Sequence, residues 1–416
     1  MIQTIMDLPG NCTGCGACYS ICEAKAILYN QNQLGFYEAT IDQNRCIHCG
    51  KCSKVCIKNP NIVTEHHINQ ASQVYAAQSK DSEVIKKSTS GGIAYELAKF
   101  ALSVGFKVVG TVYNASKQIA ELRIASDPQQ LNELQGSKYL QGYSAEVYQT
   151  VIEQVKGDPS SKYVIFGTPC QIYGISKAAK LCHVRDRIIL VDLFCHGVPT
   201  YHLWSKYLNE TEKKSRTHAT MNEVAFRDKK YGWNVYTLRL ANADKQLYTT
   251  SDRSLFYKIY FDHIALNKAC CDCKVRMGET EADIRLGDYW GPRYSDHTDG
   301  VSAVLLVTKV GKSFIQQMKR HIKILDKQDV LDCMRYQSMN LYPVDEKQRE
   351  LFYQLLQEQQ SLAKIKNKYR RLFPWKKRLK LWGKDLMSFL PVTLKSSMKR
   401  LWVIKNDKGR KHEDGY

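Results

Sequence analysis

One cysteine spacing, repeated near the start of the chain, constrains this sequence more than any other feature. The stretch "NCTGCGACYSICE" has cysteines separated by two, two and three residues, and "RCIHCGKCSKVCI" repeats the same spacing. The eight cysteines are Cys12, Cys15, Cys18 and Cys22 in the first run and Cys46, Cys49, Cys52 and Cys56 in the second. Thiols clustered in this way usually bind metal or carry out redox chemistry.

The spacing C-x2-C-x2-C-x3-C is the one that bacterial ferredoxins use for two 4Fe-4S clusters. The first three cysteines of a run bind three corners of one cubane, and the fourth points away and binds the other cluster. The prediction is therefore one cluster on Cys12, Cys15, Cys18 and Cys56 and a second on Cys46, Cys49, Cys52 and Cys22. The proline that usually follows the fourth cysteine is replaced by Glu23 and Ile57, which removes no ligand.

Zinc sites and disulfides are the alternatives for these cysteines. Zinc sites usually combine CxxC or Cys/His pairs, and a duplicated triple followed by x3 does not fit that pattern. Disulfides would require export, but "MIQTIMDLPG" has no basic start or apolar core typical of a signal peptide. No apolar run approaches the length of about 20 residues that a membrane-spanning helix needs. We therefore expect a cytoplasmic protein, and we interpret His48, His66 and His67 as surface residues.

Strands and helices alternate after residue 65, which predicts an α/β domain with a mainly parallel sheet. The expected fold is thus an α+β ferredoxin-like domain, this α/β domain, and a basic helical C-terminal tail. The expected boundaries are 1–65 for the ferredoxin domain, 70–160 and 161–345 for the two parts of the core, and 346–416 for the tail.

A second group of cysteines follows the predicted strands of the core. Cys170 comes after "KYVIF" at a helix start, Cys195 ends "RIILVDLF", and "NKACCDC" supplies Cys270, Cys271 and Cys273. Because ligands bind at the carboxyl ends of parallel strands, these thiols are expected at one edge of the sheet. The pattern alone leaves a metal or cluster site, a redox dithiol and inert core residues open. Cys182 and Cys333 are interpreted as core residues.

Five motifs in a fixed order resemble a known family. They are "STSGG" at 88–92, "GSKYLQG" at 136–142, "FGTPCQIYG" at 166–174, "DLFCHGVP" at 192–199 and "ADIRLGDYWG" at 282–291. Behind the ferredoxin repeat they resemble the coenzyme F420 hydrogenase/dehydrogenase beta-subunit family, over roughly residues 1–310. The resemblance implies an iron–sulfur flavoprotein that passes electrons between FAD, 4Fe-4S clusters and a two-electron carrier. It also implies a third 4Fe-4S cluster on Cys170, Cys195, Cys270 and Cys273, with Cys271 as a competing ligand.

The flavin site is expected in the same motifs. Its candidate residues are Ser90, Gly91, Gly92, Lys138, Tyr139, Thr168, Pro169 and Asp288. The "SGG" amides can approach a phosphate or ring, although close helix packing is an equal explanation for these glycines. Trp290 either lines this pocket or braces its turn, and His196 either assists proton transfer or is a structural neighbour of Cys195. The absence of a GxGxxG fingerprint argues against a Rossmann-type FAD site.

The motifs are compatible with three functional classes. The first is an FAD- and 4Fe-4S-dependent oxidoreductase, and the second is an electron-transfer subunit that serves a catalytic partner without a substrate of its own. The third is a structural metal protein. The expected partners are a redox protein or ferredoxin and a two-electron carrier of unknown identity, because deazaflavin, NAD(P)H and reduced ferredoxin all remain open as donors.

The C-terminal tail carries most of the chain's positive charge. Residues 364–416 contain 17 Lys/Arg and 4 Asp/Glu, a net +13 out of +20 for the whole chain. "RRLFPWKKRLKLWGKDLMSFL" mixes Trp, Leu and Phe with these charges at roughly helical spacing, and "PVTLKSSMKRLWVIK" is a second candidate helix. Such helices lie on anionic bilayers, while a solvated extension packed on the core and a nucleic-acid contact are the alternatives.

A membrane-facing tail would also suit surface-polysaccharide biosynthesis. Some bacterial proteins that resemble this family occur there, and their substrates are lipid-linked. This setting rests on analogy.

We predict that protein purified without oxygen contains about 12 iron atoms and as much acid-labile sulfide per chain, because three cubanes hold about four irons each. One FAD should accompany them. The measurement is the iron, sulfide and flavin content per chain. About 8 iron atoms without flavin would confine the clusters to the ferredoxin domain and favour the electron-carrier alternative.

Overall fold

A computed structural model describes residues 4–61, 63–69, 72–216, 220–276, 278–337, 342–391 and 394–395 of the chain. Its strands are β1 (Ile27–Gln31), β2 (Tyr37–Ile41), β3 (His66–His67), β4 (Gln73–Ser79), β5 (Lys107–Asn114), β6 (Ile119–Ala125), β7 (Tyr163–Gly167), β8 (Ile188–Leu193), β9 (Glu223–Asp228), β10 (Thr237–Ala241), β11 (Gln246–Thr250), β12 (Glu279–Thr280), β13 (Ile284–Asp288), β14 (Ser302–Leu306) and β15 (Ile322–Gln328).

The helices alternate with these strands in the core and continue beyond them at the C-terminal end. They are α1 (Ala17–Ser20), α2 (Lys51–Lys54), α3 (Ser82–Lys87), α4 (Ile93–Ser103), α5 (Pro128–Leu134), α6 (Ala145–Gly157), α7 (Pro169–Leu181), α8 (Tyr201–Ser215), α9 (Leu255–Phe261), α10 (Lys268–Cys271), α11 (Lys309–Gln317), α12 (Val330–Arg335), α13 (Glu346–Gln357), α14 (Leu362–Arg370) and α15 (Trp375–Met387). Short 3-10 turns lie at Ile5–Asp7, Arg185–Arg187, Pro292–Tyr294 and Lys319–His321.

The core is built on an eight-stranded mixed sheet. Its strand order is β15-β4-β14-β13-β8-β7-β5-β6, and the four strands β13, β8, β7 and β5 are parallel neighbours. The α/β class and a parallel centre are therefore confirmed. The outer strands pair antiparallel, which the predicted mainly parallel sheet did not include. Strands β5 and β6 are joined by residues 115–118 alone, so they form a hairpin without a crossover helix.

The central strands are apolar on both faces because helices cover both. Along β8, Ile188 and Leu190 pack with α6 and α7, while Ile189 and Val191 face the layer of α4 and α11. Successive side chains of a strand point to opposite faces, so a continuous apolar run supplies both layers. The carboxyl ends of β7 and β8 are thereby held side by side.

The N-terminal domain repeats one local structure. Short helices α1 and α2 each follow a glycine in the left-handed conformation, Gly16 with φ 78° and Gly50 with φ 73°. These two turns carry the two cysteine runs, and the β1–β2 hairpin lies between them. The ferredoxin-like domain that was expected is thus present.

Gln141 of the "GSKYLQG" motif holds the N-terminal domain against the core. Its buried side chain accepts a hydrogen bond from the Tyr37 amide at 2.7 Å and donates to the carbonyls of Thr13 and Tyr37 at 3.1 Å. The motif therefore has a structural use in joining the two domains.

A buried ion pair fixes β8 against β13. The Arg285 guanidinium donates to Asp192 at 2.8 and 2.6 Å, and both side chains are almost fully buried. Arg285 also donates to the carbonyls of Val275 and Glu279 at 3.3 Å. Because a buried charge requires a close partner, this pair ties the loop after the third cysteine group to the sheet.

The C-terminal helices divide into a packed part and an exposed part. Phe352 of α13 and Tyr369 of α14 are buried in the core, whereas α15 buries none of its residues. The predicted helix "PVTLKSSMKRLWVIK" lies outside the described residues apart from its beginning. Within the described ranges, no helix is both long and apolar enough to cross a membrane.

Candidate functional site

The first ferredoxin quartet lines one cavity. A cavity of about 220 Å³ is bordered by Cys12, Cys15, Cys18 and Cys56, together with loop residues around them. Burial, with a contribution from neighbouring thiols, raises the pKa of Cys15 to about 11 and that of Cys56 to about 12. Thiolates packed so closely repel one another. A bound cationic cluster offsets this repulsion when it displaces the thiol protons. The thiol chemistry and the space both fit a cubane.

The second quartet is more open. Burial raises the pKa of Cys52, and the thiols of Cys22 and Cys49 add to that rise. Cys22 thus lies with the second run while Cys56 lies with the first, which is the crossed arrangement that two clusters require. Because Cys49 is exposed, this second site opens to the protein surface.

Every one of the fifteen cysteines is described, and none is paired in a disulfide. The described residues also contain no group of three or more Cys, His, Asp or Glu side chains close enough to hold one metal ion.

The third cysteine group converges from three segments. Cys170 lies in the first turn of α7, and Cys195 follows β8. Cys270 lies in α10, and Cys273 is two residues beyond the end of that helix. Burial, followed by the thiols of Cys273 and Cys195, raises the pKa of Cys170 well above its usual value. The fold therefore brings together the four thiols that the resemblance implies.

Arg276 ties these segments together. Its buried guanidinium donates to the carbonyls of Cys195 at 3.3 Å, His196 at 3.2 Å and Cys270 at 2.6 Å. A fixed positive charge beside converging thiolates also offsets part of their repulsion.

Cys270 is better placed than Cys271 to join this group. The other thiols that raise the pKa of Cys270, after burial, are Cys195 and Cys273. The charges around Cys271 come instead from Arg349, Arg276 and Glu346. Of the two cysteines interpreted as core residues, Cys333 is buried, whereas Cys182 is half-buried at the end of α7, because the helix ends near the surface there.

Helix α7 joins the third cysteine group to the first quartet. Cys170 and Gly174 are one turn apart on α7, about 6 Å along its axis. A Cβ atom on Gly174 would lie 2.7 Å from Ala17 Cβ and 3.0 Å from Cys15 Sγ. Only a glycine lets the helix approach this closely. In addition, Asn267, beside the third group, donates to the Cys12 carbonyl at 3.2 Å.

A second cavity, of about 350 Å³, lies at the carboxyl ends of the parallel strands. Of the residues expected around a flavin, those that line it are Ser90, Gly92, Lys138, Tyr139, Thr168 and Asp288, and Trp290, His196 and Cys195 line it as well. Cys195 therefore belongs to both the third thiol group and the cavity wall.

Two candidate flavin residues lie outside the lining of this cavity. The Gly91 amide donates to Ser302 Oγ at 3.0 Å, and a Cβ there would lie 2.5 Å from the Ala77 carbonyl oxygen. Close packing thus accounts for Gly91. Pro169 occupies the first turn of α7, where its fixed φ suits a helix start, and Thr168 caps that helix.

Lys138 has a role that its motif did not reveal. Its ammonium group donates to the carbonyls of Glu133, Leu134 and Gln135 at 2.9 to 3.2 Å, which caps the end of α5. Burial lowers its pKa to about 7. The side chain borders the cavity while its donors are used within the protein.

Arg227 and Tyr236, which contact the motif residues Asp288 and Trp290 at the cavity, were missed by sequence reasoning. Arg227, from β9, donates to Asp288 at 3.0 Å and lies 4.0 Å from the centre of the Tyr236 ring. Trp290 stacks between Trp233 and Tyr236, with ring centres 4.9 and 5.9 Å away. Arg227 and Tyr236 lie outside the five motifs, so no local signal pointed to them, whereas Asp288 and Trp290 belong to the "ADIRLGDYWG" motif.

His196 lies in a partly buried cluster with His263 and Tyr342. Its Nε2 lies 3.0 Å from His263 Nε2, and its Nδ1 lies 3.0 Å from the Tyr342 hydroxyl. Burial, together with His263 and Arg276, lowers the pKa of His196 to about 3. The imidazole is therefore neutral at physiological pH, and its ring nitrogens are occupied by neighbours.

A dicluster ferredoxin domain joined to this α/β core defines an iron–sulfur protein of oxidoreductase type. The 4Fe-4S dicluster domain model matches residues 11–59. The family models for the N-terminal and C-terminal parts of the coenzyme F420 hydrogenase/dehydrogenase beta subunit match residues 74–147 and 160–329, respectively. The chain belongs to the coenzyme F420 hydrogenase/dehydrogenase beta-subunit family.

One further protein and one solved structure are similar to this chain at low sequence identity. An uncharacterized protein of Methanocaldococcus jannaschii is 22% identical over 338 residues, which cover 74% of this chain and 86% of that protein. A chain of the F420-reducing [NiFe] hydrogenase complex from Methanosarcina barkeri aligns with a TM-score of 0.45 and 17% identity, over 76% of this chain and 96% of that chain. This structural likeness is too distant to carry an argument.

We predict that Gly174→Leu expels the cluster at Cys15, because its side chain would occupy the space of Ala17 and the Cys15 sulfur. The expected loss is about four iron atoms per chain, measured against protein concentration. Gly157→Leu is the matched control, since no atom lies within 4 Å of a Cβ at that helical position. Full iron content in Gly174→Leu would contradict the close contact.

Proposed function

We propose that this chain is an FAD- and 4Fe-4S-dependent oxidoreductase that passes electrons between a two-electron carrier and its clusters. The observation that carries the proposal is the position of Cys195, which borders the 350 Å³ cavity and also belongs to the third thiol group. Helix α7 then connects that group to the ferredoxin domain at Gly174. A site for two-electron transfer in the cavity would thus lie next to a site for one-electron transfer at the third thiol group.

The volume and mixed chemistry of the cavity are those of a ligand site and support a flavin there. Ligand sites of about 300 to 1,000 Å³ with mostly apolar walls and a few polar groups are typical. Tyr139, Tyr236 and Trp290 supply aromatic surface, and Ser90 and Thr168 supply hydroxyl groups. The Asp288 Oδ1 atom is buried and has no hydrogen-bond partner among the described residues, so it offers an acceptor to a bound group.

FAD, when bound, exchanges electrons in pairs with an organic carrier and singly with iron–sulfur clusters. The residues of this chain prepare the cavity for that exchange. Arg227 neutralises Asp288 and keeps a fixed positive charge behind the aromatic wall. His196 stays neutral, and its cluster with His263 and Tyr342 orders the segment that follows Cys195.

The alternative is an electron-transfer subunit that serves a catalytic partner and has no substrate of its own. The exposed Cys49 side of the second quartet supports a protein partner, because electrons must leave through a site near the surface. The family includes hydrogenase subunits, which act in complexes. Bound flavin with independent reductase activity favours the oxidoreductase, and absence of flavin favours the carrier.

We predict that Cys170→Ala blocks electron transfer from the flavin to the ferredoxin clusters while leaving those clusters in place. Single-turnover kinetics with reduced flavin, followed by the bleaching of the cluster absorbance, measures the transfer, and about 8 irons should remain. Cys182→Ala is the matched control, because this cysteine is at the far end of the same helix. Unchanged single-turnover rates in Cys170→Ala would refute the relay.

We further propose that helix α15 attaches the protein to an anionic membrane surface, where lipid-linked substrates such as those of surface-polysaccharide biosynthesis would be accessible. Trp375, Leu379, Trp382 and Leu386 follow helical spacing on one face, with 67, 59, 65 and 58% of their surface exposed. Lys376 and Arg378 flank this stripe. Apolar anchors beside basic residues match the interface of an anionic bilayer.

Ion pairs hold α15 so that this stripe faces outward. Asp385 bonds to Lys258 at 2.8 Å, Lys366 at 3.0 Å and Arg370 at 3.1 Å, all from other helices. The face of α15 beside the stripe is therefore fixed to the core, which supports an interaction surface rather than a loose tail.

We predict that Trp375→Ser/Trp382→Ser lowers binding to vesicles containing phosphatidylglycerol by about tenfold or more, because the anchors are lost. Vesicle flotation of the full chain measures binding, which should weaken with salt. The matched control is Val310→Ser/Leu331→Ser, which changes two exposed apolar residues on other helices. Equal flotation of the two double variants, or none by the unmodified protein, would exclude membrane attachment.

A further inference from the structure

Thr168 places a side-chain hydroxyl against one thiol of the third cysteine group. Its Oγ1 lies 3.3 Å from Cys170 Sγ, a hydrogen bond in which either atom can be the donor. Two other cysteine sulfurs, those of Cys12 and Cys22, accept hydrogen bonds from backbone amides at 3.3 Å. Every residue except proline supplies such an amide, whereas the bond to Cys170 depends on which side chain stands at position 168.

The start of α7 fixes the position of this hydroxyl. Thr168 precedes the helix and forms a capping box with Gln171, whose side chain accepts from the Thr168 amide at 3.1 Å. The branched side chain of threonine has few accessible rotamers, so its oxygen is held in one direction. A capping box by itself favours serine or threonine at this position, so the bond to sulfur needs a separate argument.

The hydroxyl proton has two acceptors within reach. Thr168 Oγ1 lies 3.1 Å from Gln171 Oε1 as well as 3.3 Å from Cys170 Sγ. Gln171 Oε1 also accepts from the Thr168 amide, so it keeps a donor when the hydroxyl turns away. A cysteine that binds iron is a thiolate, which has no proton to donate and attracts a donor through its charge. The hydroxyl proton is therefore directed to the sulfur once a cluster is bound.

The same side chain belongs to the wall of the large cavity. Thr168 and Cys195 both line the 350 Å³ cavity, although they lie in different segments of the chain. Since Thr168 also contacts Cys170, one residue touches both the cavity and the third thiol group. A change in its hydrogen bonding would thus act where electrons are expected to pass between the two sites.

We propose that the Thr168 hydroxyl donates a hydrogen bond to the Cys170 sulfur of the third 4Fe-4S cluster and so raises the reduction potential of that cluster. The inference rests on the proposed function, because it requires the third cluster. Hydrogen bonds to the sulfurs help to set the potential of a cluster, since a donor stabilises the added negative charge of the reduced state. Thr168 is therefore a positioning residue that acts through Cys170.

The test is a redox titration of the anaerobically purified full-length protein, followed by EPR. The signal that is missing from Cys170→Ala identifies the third cluster. Thr168→Val removes the hydroxyl and keeps the shape of the side chain. It should lower the potential of this cluster by about tenfold in the one-electron equilibrium constant, about 59 mV. Thr168→Ser, which retains the hydroxyl, should restore most of that potential.

A control variant and a second measurement separate the hydrogen bond from the helix cap. Thr308 caps α11, a helix without cysteines, by accepting from the Gly311 amide at 3.2 Å. Thr308→Val therefore removes a comparable cap and should leave the potentials unchanged. Pulsed EPR in heavy water detects exchangeable deuterons coupled to the cluster. One coupling should be present in the unmodified protein and in Thr168→Ser but absent from Thr168→Val, whereas a purely structural cap predicts the same couplings in all three.

A lower potential and a lost deuteron coupling in Thr168→Val, both restored in Thr168→Ser, would support the assignment. An unchanged or higher potential, an unchanged set of couplings, or a shift confined to the ferredoxin clusters would overturn it. If Thr168→Val loses iron, Thr168→Ala is titrated in its place. If that variant also loses iron, the coupling in the two hydroxyl-bearing proteins decides by its presence or absence. Unmodified protein with about 8 iron atoms lacks the third cluster, which refutes the proposed relay before any titration.

Discussion

The contact between Gly174 and the Cys15 loop is the one on which the rest of the arrangement depends. It lets α7 start at one thiol group and lie directly against another, so the core and the ferredoxin domain are connected by one rigid helix. Gln141 and Ser144 reinforce the contact with hydrogen bonds to the same loop. A larger residue at position 174 would separate the two redox sites. A closely packed interior accommodates added volume only when neighbouring elements move apart.

Buried charge organises the site beyond this contact. Arg285 and Asp192 fix the sheet beneath the third thiol group, and Arg276 gathers the segments that carry its cysteines. Arg227 plays a similar part on the far side of the cavity, where it pairs with Asp288. Each guanidinium provides several fixed donors, so one side chain can hold several loops at once. The thiol groups and the cavity are in this way supported by rigid elements.

Much of the site was predictable because its signals are local. The cysteine spacing identifies the ferredoxin domain, since cubane geometry dictates which residues of a short loop can bind. Cys170 and Cys195 were expected at one sheet edge because each follows a predicted parallel strand. Gly91 and Pro169 lie outside the cavity lining, and a motif does not reveal whether a residue faces a cavity or the packing behind it.

The sequence alone determined the two cysteine quartets, the family and the α/β class, because spacing and periodicity are properties of contiguous residues. Only the tertiary structure decided the antiparallel outer strands, the position of Arg227 against the Tyr236 ring and the placement of Cys270 near Cys195 and Cys273. These features join residues far apart in the chain. Their positions depend on how the helices and sheets pack, which no short stretch of sequence encodes.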